Sequence, residues 1–462
     1  MNQSKSKVSL DQFKKHGLEI IRGQQEKESL VGVEMEFFAF CKESLAPLGT
    51  EGAKLHPDAL LQKISDKVPE SKLLVDSPTQ KITGLKLPQG NITLEPGGQI
   101  EVASDSFKTL KEAHENIAAT LKLIEEAAEG HVLFLSHGTS PLADASLPLV
   151  LRKSRYFTMT QYFESVPDGR GVHMMRYTGT VQPNIDVVGE QAWKEAVQLS
   201  FLLTPFVRNI FKNSAYFQNQ ASTFRSERQA IWDLTDGTRC GIPNGIWNAD
   251  APEENYLDWA LHAKVSDING LPLEEQPLHN ANLIFEDWAK SGHNGKFPTI
   301  ADWEQHLGTL FPEVRLRGFL EIRNVDAQRF DLSFAPVAWW MGVLRSESVR
   351  KEIFSTLEEA TTEFYKEVFD EKVTEDKWQT RLMTLNHNAK IFSNINLQDT
   401  LYNLAIRGLQ ESGEEFGVRC LSYWKSHNDD HQKLIKQLSP EEYVREIGTE
   451  KPSELLERVL ED

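Results

Sequence analysis

Four stretches of this chain alternate with a period of two residues, and in each the polar side carries groups that are costly to bury without partners. In residues 31–40 (VGVEMEFFAF), Val31, Val33, Met35 and Phe37 fall on one face, and Gly32, Glu34, Glu36 and Phe38 on the other. A strand sets the two carboxylates side by side, about 7 Å apart, where they repel unless solvent or cations intervene. In residues 91–104 (NITLEPGGQIEVAS) a Pro-Gly-Gly turn separates Glu95 from Gln99, and Glu101 shares the face of Gln99. An ordinary hairpin carries the same turn residues.

Residues 178–187 (TGTVQPNIDV) place Thr178, Thr180, Gln182, Asn184 and Asp186 on one face and Gly179, Val181, Ile185 and Val187 on the other. A polar row of that length facing a core must be met by ligand, metal or water; facing solvent, it carries no message. Pro183 has no N–H to donate, which puts this strand at an edge or at a bulge. Residues 317–326 (RGFLEIRNVD) set Glu321 and Arg323 together, opposite Leu320 and Ile322, as a surface ion pair also would. Taken together, Glu34, Glu36, Glu95, Glu101, Gln182, Asn184 and Glu321 offer oxygen donors only. That set suits Mg²⁺ or Mn²⁺ rather than zinc.

The charge balance narrows the partners. With 50 Lys+Arg against 68 Asp+Glu in 462 residues, the net charge is −18, which argues against general affinity for nucleic acid or anionic membranes. The longest nearly unbroken apolar run, residues 334–344, is shorter than the roughly 20 residues of a membrane span. The first 17 residues hold no apolar segment of export type. Cys41, Cys240 and Cys420 are odd in number and have no CxxC spacing, so a disulfide framework and a thiolate zinc site are both disfavoured, and buried free thiols are expected. These features point to the cytoplasm.

No fixed-period repeat or single linker divides the sequence, so one catalytic unit is expected over 1–462, with a sheet-based core at about 30–345 and mostly helical support at about 346–462. Residues 106–130 read as an amphipathic helix through Leu110, Ala113, Ile117, Leu121 and Ile124, with Gly130 as the stop. Another helix starts after Thr299, with Asp302 three residues on, and residues 290–298 before it read as loop. A third starts at Ser439-Pro440-Glu441-Glu442, a cap, an N1 proline and a capping-box Glu in order.

The segments VGVEMEFFAF, LEPGGQIE, MMRYTGTVQPNID, FRSERQAIWDLTDGTRCG and FPTIADWEQHLGTLFPEVRLRGFLEIRNVD, in this order over roughly residues 30–345, resemble the plant-type glutamate–cysteine ligases, which also occur in many bacteria. The resemblance implies an α+β, glutamine-synthetase-like fold: a curved, mainly antiparallel sheet with an acidic concave face, covered by helices. It implies ATP-dependent joining of the glutamate γ-carboxylate to the cysteine amine through a γ-glutamyl phosphate, with two or three Mg²⁺ ions (Mn²⁺ as the alternative) and the small molecules ATP, L-glutamate and L-cysteine as partners. By that pattern Glu34, Glu36, Glu95, Glu101, Gln182 and Glu321 are metal positions, and Glu321 with Arg323 forms the late Glu-x-Arg.

The chain departs from the pattern at Met35, where His is frequent, Phe37, where Lys stands, Tyr177, where an Arg is common, and Pro183, where Val is usual. Met35 and Phe37 belong to the apolar face; Tyr177 bears on substrate specificity, with Arg176 beside it as a substitute.

Both ATP and glutamate are anions, so an acidic protein needs local cations to hold them. Arg323 is the first choice for the transferring phosphate because it shares a strand face with Glu321. Arg155, Arg176, Arg228 and Arg239 are candidates for substrate carboxylates or the ATP tail, and Arg155 and Arg239 equally for structural ion pairs. Trp232 is a candidate wall of the amino-acid pocket or a core residue. No Gly-x-x-x-x-Gly-Lys-[Ser/Thr] motif occurs, so phosphate is not held by a P-loop. A γ-glutamyl ligase with another amine acceptor and a non-catalytic ligand-binding descendant are the competing readings.

Overall fold

The computed structural model describes residues 7–23, 28–50, 53–142, 153–246, 250–368 and 395–461. Among these described residues nine strands build the main sheet: β1 (Val31–Cys41), β2 (Lys72–Val75), β3 (Ile82–Leu87), β4 (Gly90–Leu94), β5 (Ile100–Ala103), β6 (Val132–Leu135), β7 (Val181–Ile185), β8 (Val314–Leu316) and β9 (Leu320–Ile322). Their order is β8-β9-β7-β1-β5-β4-β3-β2, with β6 paired along the far end of β1, and every pairing is antiparallel. The long central strand β1 explains the order. Its first half is shared by β5 and β7, so each of its polar residues gains a cross-strand neighbour on both sides.

The alternation in the sequence decides which side is dry. Val31, Val33, Met35 and Phe37 are completely buried, and the helix Leu110–Ala128 packs on β1 and β5 through Leu110, Ala113, Ile117, Leu121 and Ile124, also buried. That helix starts later than residue 106. The Thr109 hydroxyl accepts from the Glu112 N–H at 3.3 Å while the Glu112 carboxylate takes the Thr109 N–H at 3.0 Å, and this reciprocal cap sets the first turn. The same device opens the helices Ile300–Gly308, at Thr299 and Asp302, and Pro440–Ile447, at Ser439 and Glu442. Of the segment read as loop, Lys290 and Ser291 close the helix Phe285–Ser291, and the remainder is irregular.

Pro183 corrects an expectation. It lies inside the sheet, in continuous register opposite Val33, and not at an edge or bulge. Val33 spends its own amide and carbonyl on Ser104, so the imide nitrogen of Pro183 faces β9. The β9 ladder covers Ile185 and Asn184 and stops there, so no bond to an N–H at position 183 is missed.

Past residue 345 the described chain is helical: Glu347–Val368, Ile395–Glu411, Glu415–Ile435, Pro440–Ile447 and Pro452–Glu457; residues 369–394 lie outside the described residues. The apolar run becomes the buried helix Phe334–Arg345, packed against Ile395–Glu411 and Glu415–Ile435. Gly342 and Gly408 permit that approach, since a Cβ on Gly408 would sit 1.9 Å from the Gly342 carbonyl oxygen. Among the described residues no helix is long and apolar enough to cross a membrane, and the three cysteines are buried and free.

Candidate active site

Strand register assembles the site in rows. Thr93, Glu101 and Glu36 are successive cross-strand partners over β4, β5 and β1; Glu34 stands opposite Gln182, and Arg315, Glu321 and Asn184 form a third row over β8, β9 and β7. All lie on the face opposite the helix Leu110–Ala128. Glu34, Glu36, Glu95, Glu101, Gln182, Glu321, Arg323, Arg155 and Trp232 line one cavity of about 300 Å³. The four segments of the sequence therefore meet.

Two walls of the cavity differ in charge. On β8 and β9, Glu321 is nearly inaccessible and takes bonds from Arg315 at 2.9 Å, from Arg317 at 3.4 Å and from Arg323. Burial works against its charge, but Arg315, Arg323 and Arg317 outweigh burial and hold its pKa down to about 2. Arg323 also donates to the Gln182 side-chain oxygen at 2.9 Å, and the Arg315 guanidinium is pushed down to about 10 by burial and by Arg323.

On β1, β5 and the β4–β5 turn the carboxylates lack such cover. Burial, then the Glu321 charge, raises Glu34 to about 7, against a bond of 3.0 Å from the Asn184 amide. Glu36 rises to about 8 through burial and Glu95, although it accepts the Thr180 N–H at 3.1 Å. Burial and Glu95, Glu34 and Glu36 push Glu101 up, and its bond from the Thr93 hydroxyl, 2.6 Å, pulls the other way. Glu95 faces Lys153 at 3.9 Å and the Tyr156 hydroxyl at 3.4 Å. The turn that carries Glu95 is braced by Gln99, which accepts the Gly97 N–H and donates to the Thr178 carbonyl.

The donor set on the cavity wall fits a hard divalent cation in chemistry: carboxylates that raise one another's pKa and a side-chain amide oxygen at Gln182. A ready-made cage is a different matter. Among the described residues no group of three or more His, Cys, Asp or Glu is drawn together enough to hold a metal. Repulsion accounts for the spread, since Glu34, Glu36 and Glu101 are each held by a separate neutral donor instead of sharing a counter-charge.

Asn184 stands behind Glu34 and does not line the cavity. Arg176 and Tyr177 line a smaller neighbouring space behind the Gly97–Gly98 turn, so Arg176 is not brought to the cavity and the Tyr177 departure lies away from it. Arg239 is fully buried and bonded to Asp236, Ser266, Thr309 and the Lys264 carbonyl, a structural role. Arg228, also fully buried and pushed down to about 10 by burial, donates to the Arg323 carbonyl at 2.8 Å. Its guanidinium and that of Arg323 lie 5.0 and 5.4 Å from the Trp232 ring centre. Met35 and Phe37 are in the core, as their alternation requires.

Sequence reasoning missed Arg315, Arg317, Lys153, Tyr156 and Thr93 on the cavity wall. The two arginines were signalled, because in VRLRGFLEIR the tight turn at Gly318 folds positions 315 and 317 onto the face of Glu321 and Arg323.

The model of glutamate–cysteine ligase family 2 matches residues 30–379, which contain this whole cavity wall. The chain belongs to that family. It is 29% identical over 337 residues to the chloroplastic glutamate–cysteine ligase of Nicotiana tabacum, matching 72% of this chain and 62% of the tobacco protein's length. The Medicago truncatula chloroplastic enzyme is 29% identical over 389 residues, 83% of this chain and 73% of that protein. Among solved structures, the glutamate–cysteine ligase of Francisella tularensis in complex with AMP superposes with a TM-score of 0.51 over 93% of this chain and 90% of that one, at 11% identity, a likeness of fold. The antiparallel α+β architecture is thus shared. The cytoplasmic expectation is overturned by these relatives, which are chloroplastic enzymes; an N-terminus without an apolar segment and unpaired cysteines do not assign a compartment.

Proposed function

We propose that this chain, working as one catalytic unit, joins the γ-carboxylate of L-glutamate to the amine of L-cysteine at the expense of ATP, the first step of glutathione-type thiol synthesis. The observation that carries the reading is the cavity itself: four glutamates from β1, β5 and the β4–β5 turn facing Glu321 and its three arginines. Neither glutamate nor ATP approaches such a surface without divalent cations, and the oxygen-only set of Glu34, Glu36, Glu95, Glu101, Gln182 and Glu321 is suited to hold two or three Mg²⁺, with Mn²⁺ as the alternative. Bound there, the cations supply charge neutralisation between carboxylates and phosphates.

The remaining chemistry falls to the side chains. A carboxylate is a poor acylating group because its leaving group is oxide; transfer of the ATP γ-phosphoryl to a γ-carboxylate oxygen releases ADP and makes phosphate the leaving group. The cysteine amine nitrogen then bonds to the acyl carbon, phosphate departs and the amine gives up a proton. Arg323, anchored by Glu321, Gln182 and Arg228, is placed to carry the charge of the phosphoryl group in transit. Arg155 and Lys153 stand on the cavity wall as partners for substrate carboxylates or the nucleotide tail. Trp232 lines the cavity as the wall we assign to the amino-acid side, and Tyr177 lies outside it.

Purified protein given ATP, Mg²⁺ and glutamate should release phosphate when cysteine is added, with a γ-glutamylcysteine product by mass. Release with a different amine alone would move the assignment to that acceptor. No release with any amine would leave a ligand-binding protein.

A further inference from the structure

The helix Ser154–Glu164 opens with the wrong charges for its own dipole. Lys153, its cap residue, and Arg155 and Tyr156 in its first turn all line the catalytic cavity, and that turn holds no acidic residue. A helix N-terminus carries partial positive charge and disfavours cations placed on it. Lys153 cannot cap the helix either, since an ammonium donates hydrogen bonds and accepts none. The helix start therefore draws its cap from elsewhere.

Asp76 supplies it. This residue follows β2, stands 78 positions before Ser154 and does not line the cavity. One oxygen of its carboxylate accepts the Ser154 N–H at 3.2 Å, and the other accepts the Ser154 hydroxyl at 3.3 Å. The β2–β3 turn that carries Asp76 is closed on itself. The Asp76 N–H donates to the Lys81 carbonyl at 3.0 Å, the Gln80 N–H to the Asp76 carbonyl at 2.8 Å, and the Thr79 N–H to the carboxylate at 3.0 Å. Burial works against the Asp76 charge, but the bonds from Thr79 and Ser154 outweigh it and hold the carboxyl below its usual range. On the cavity side of the same helix start, the Tyr156 hydroxyl lies 3.4 Å from both Glu95 oxygens and the Lys153 ammonium 3.9 Å from one of them. Lys153 and Arg155 lie 5.2 and 5.5 Å from the centre of the Tyr156 ring.

We propose that Asp76 is a positioning residue: by capping the helix Ser154–Glu164 it sets Lys153, Arg155 and Tyr156 on the cavity wall for the anionic groups of the substrates, which rests on the ligase reading of that cavity. A shift of the helix start moves all three side chains together. They hold substrate before and during the reaction, so their displacement is felt in KM rather than in kcat.

Kinetics of the full chain test this. Asp76→Ala should raise KM for ATP or for glutamate about tenfold and leave kcat within about twofold; Asp76→Asn, whose amide oxygen also caps helices, should keep most of the wild-type KM. Ser154→Pro cuts the same two bonds without touching the β2–β3 turn. Proline suits a first helical position after the extended Lys153, so this variant should fold and repeat the KM rise. In a Lys153→Gln/Arg155→Gln background, Asp76→Ala should raise KM no further. A merely weakened fold would instead lower kcat through lost active protein, at unchanged KM. Calorimetric affinities for ATP with Mg²⁺ and for glutamate repeat the comparison without turnover, so a wild type that binds but does not ligate fails the ligase reading and still judges Asp76. Unchanged KM and affinity in Asp76→Ala and Ser154→Pro, a loss of kcat alone, or a full Asp76→Ala effect in the Lys153→Gln/Arg155→Gln background would overturn the proposal, as would a wild type that binds neither ligand.

Discussion

The two walls of the catalytic cavity use the same residue type to opposite effect. Glu321 sits among Arg315, Arg317 and Arg323 and stays ionised down to about pH 2, whereas Glu34 and Glu36, on β1 across the intervening β7, rise to about 7 and 8. Burial acts on all three. What differs is the partner: guanidiniums on β8 and β9, neutral amides and an N–H along β1. On one wall the protein itself supplies counter-charges to its carboxylate; on the other, Glu34, Glu36 and Glu101 are bonded by neutral donors.

The sharpest way to break this contrast is to neutralise one carboxylate on each wall. Glu321→Gln leaves Arg315 and Arg323 buried without their counter-charge and should lower stability by about 3 kcal/mol, with kcat down by roughly a thousandfold; chemical denaturation and turnover measure both. Glu36→Gln should silence turnover equally but raise the stability of the metal-free protein by about 2 kcal/mol at pH 8. Equal destabilisation by both variants would mean that the walls do not differ.

The pH dependence sharpens the same point. Because Glu34 and Glu36 have folded pKa values above the unfolded 4.5, the folded chain binds more protons than the unfolded chain between there and about pH 7 to 8, and stability falls as pH rises through that window. The stability gap between the Glu34→Gln/Glu36→Gln double variant and wild type should therefore widen from about pH 5 to about pH 8, and added Mg²⁺ should close it. A smaller effect belongs to the buried histidines His137 and His431, held down to about 4 and about 3 chiefly by burial. They stay neutral when folded, so the stability they contribute above their unfolded pKa is lost as pH falls below about 6.5, at up to about 1.4 kcal/mol per pH unit each. His431→Gln should flatten that acid limb in denaturation curves. The smallest change, Thr93→Val, removes the hydroxyl that bonds Glu101 and should cost about 1 kcal/mol with Mg²⁺ absent.

Much of this was legible in the chain. Period-2 alternation assigned Met35 and Phe37 to the core and Glu34 and Glu36 to the opposite face, and capping boxes at Thr299 and Ser439 marked real helix starts. These signals are local, set by neighbours within four residues. Pro183 and Arg239 were not legible in this way. Whether a proline in a strand misses a bond depends on which neighbouring strand runs past it, and whether an arginine meets ligand or protein depends on groups far along the chain, such as Ser266 and Thr309 for Arg239.

From its sequence alone, then, the chain determined the faces of its strands, the starts of its helices and the family to which its ordered motifs belong. Tertiary structure decided which strands became neighbours, and so which glutamates were given arginines and which were met by neutral donors. Side-chain alternation follows from backbone geometry within one strand, but charge compensation is a property of pairs, and pairs exist only after β1, β5, β7 and β9 have been laid side by side.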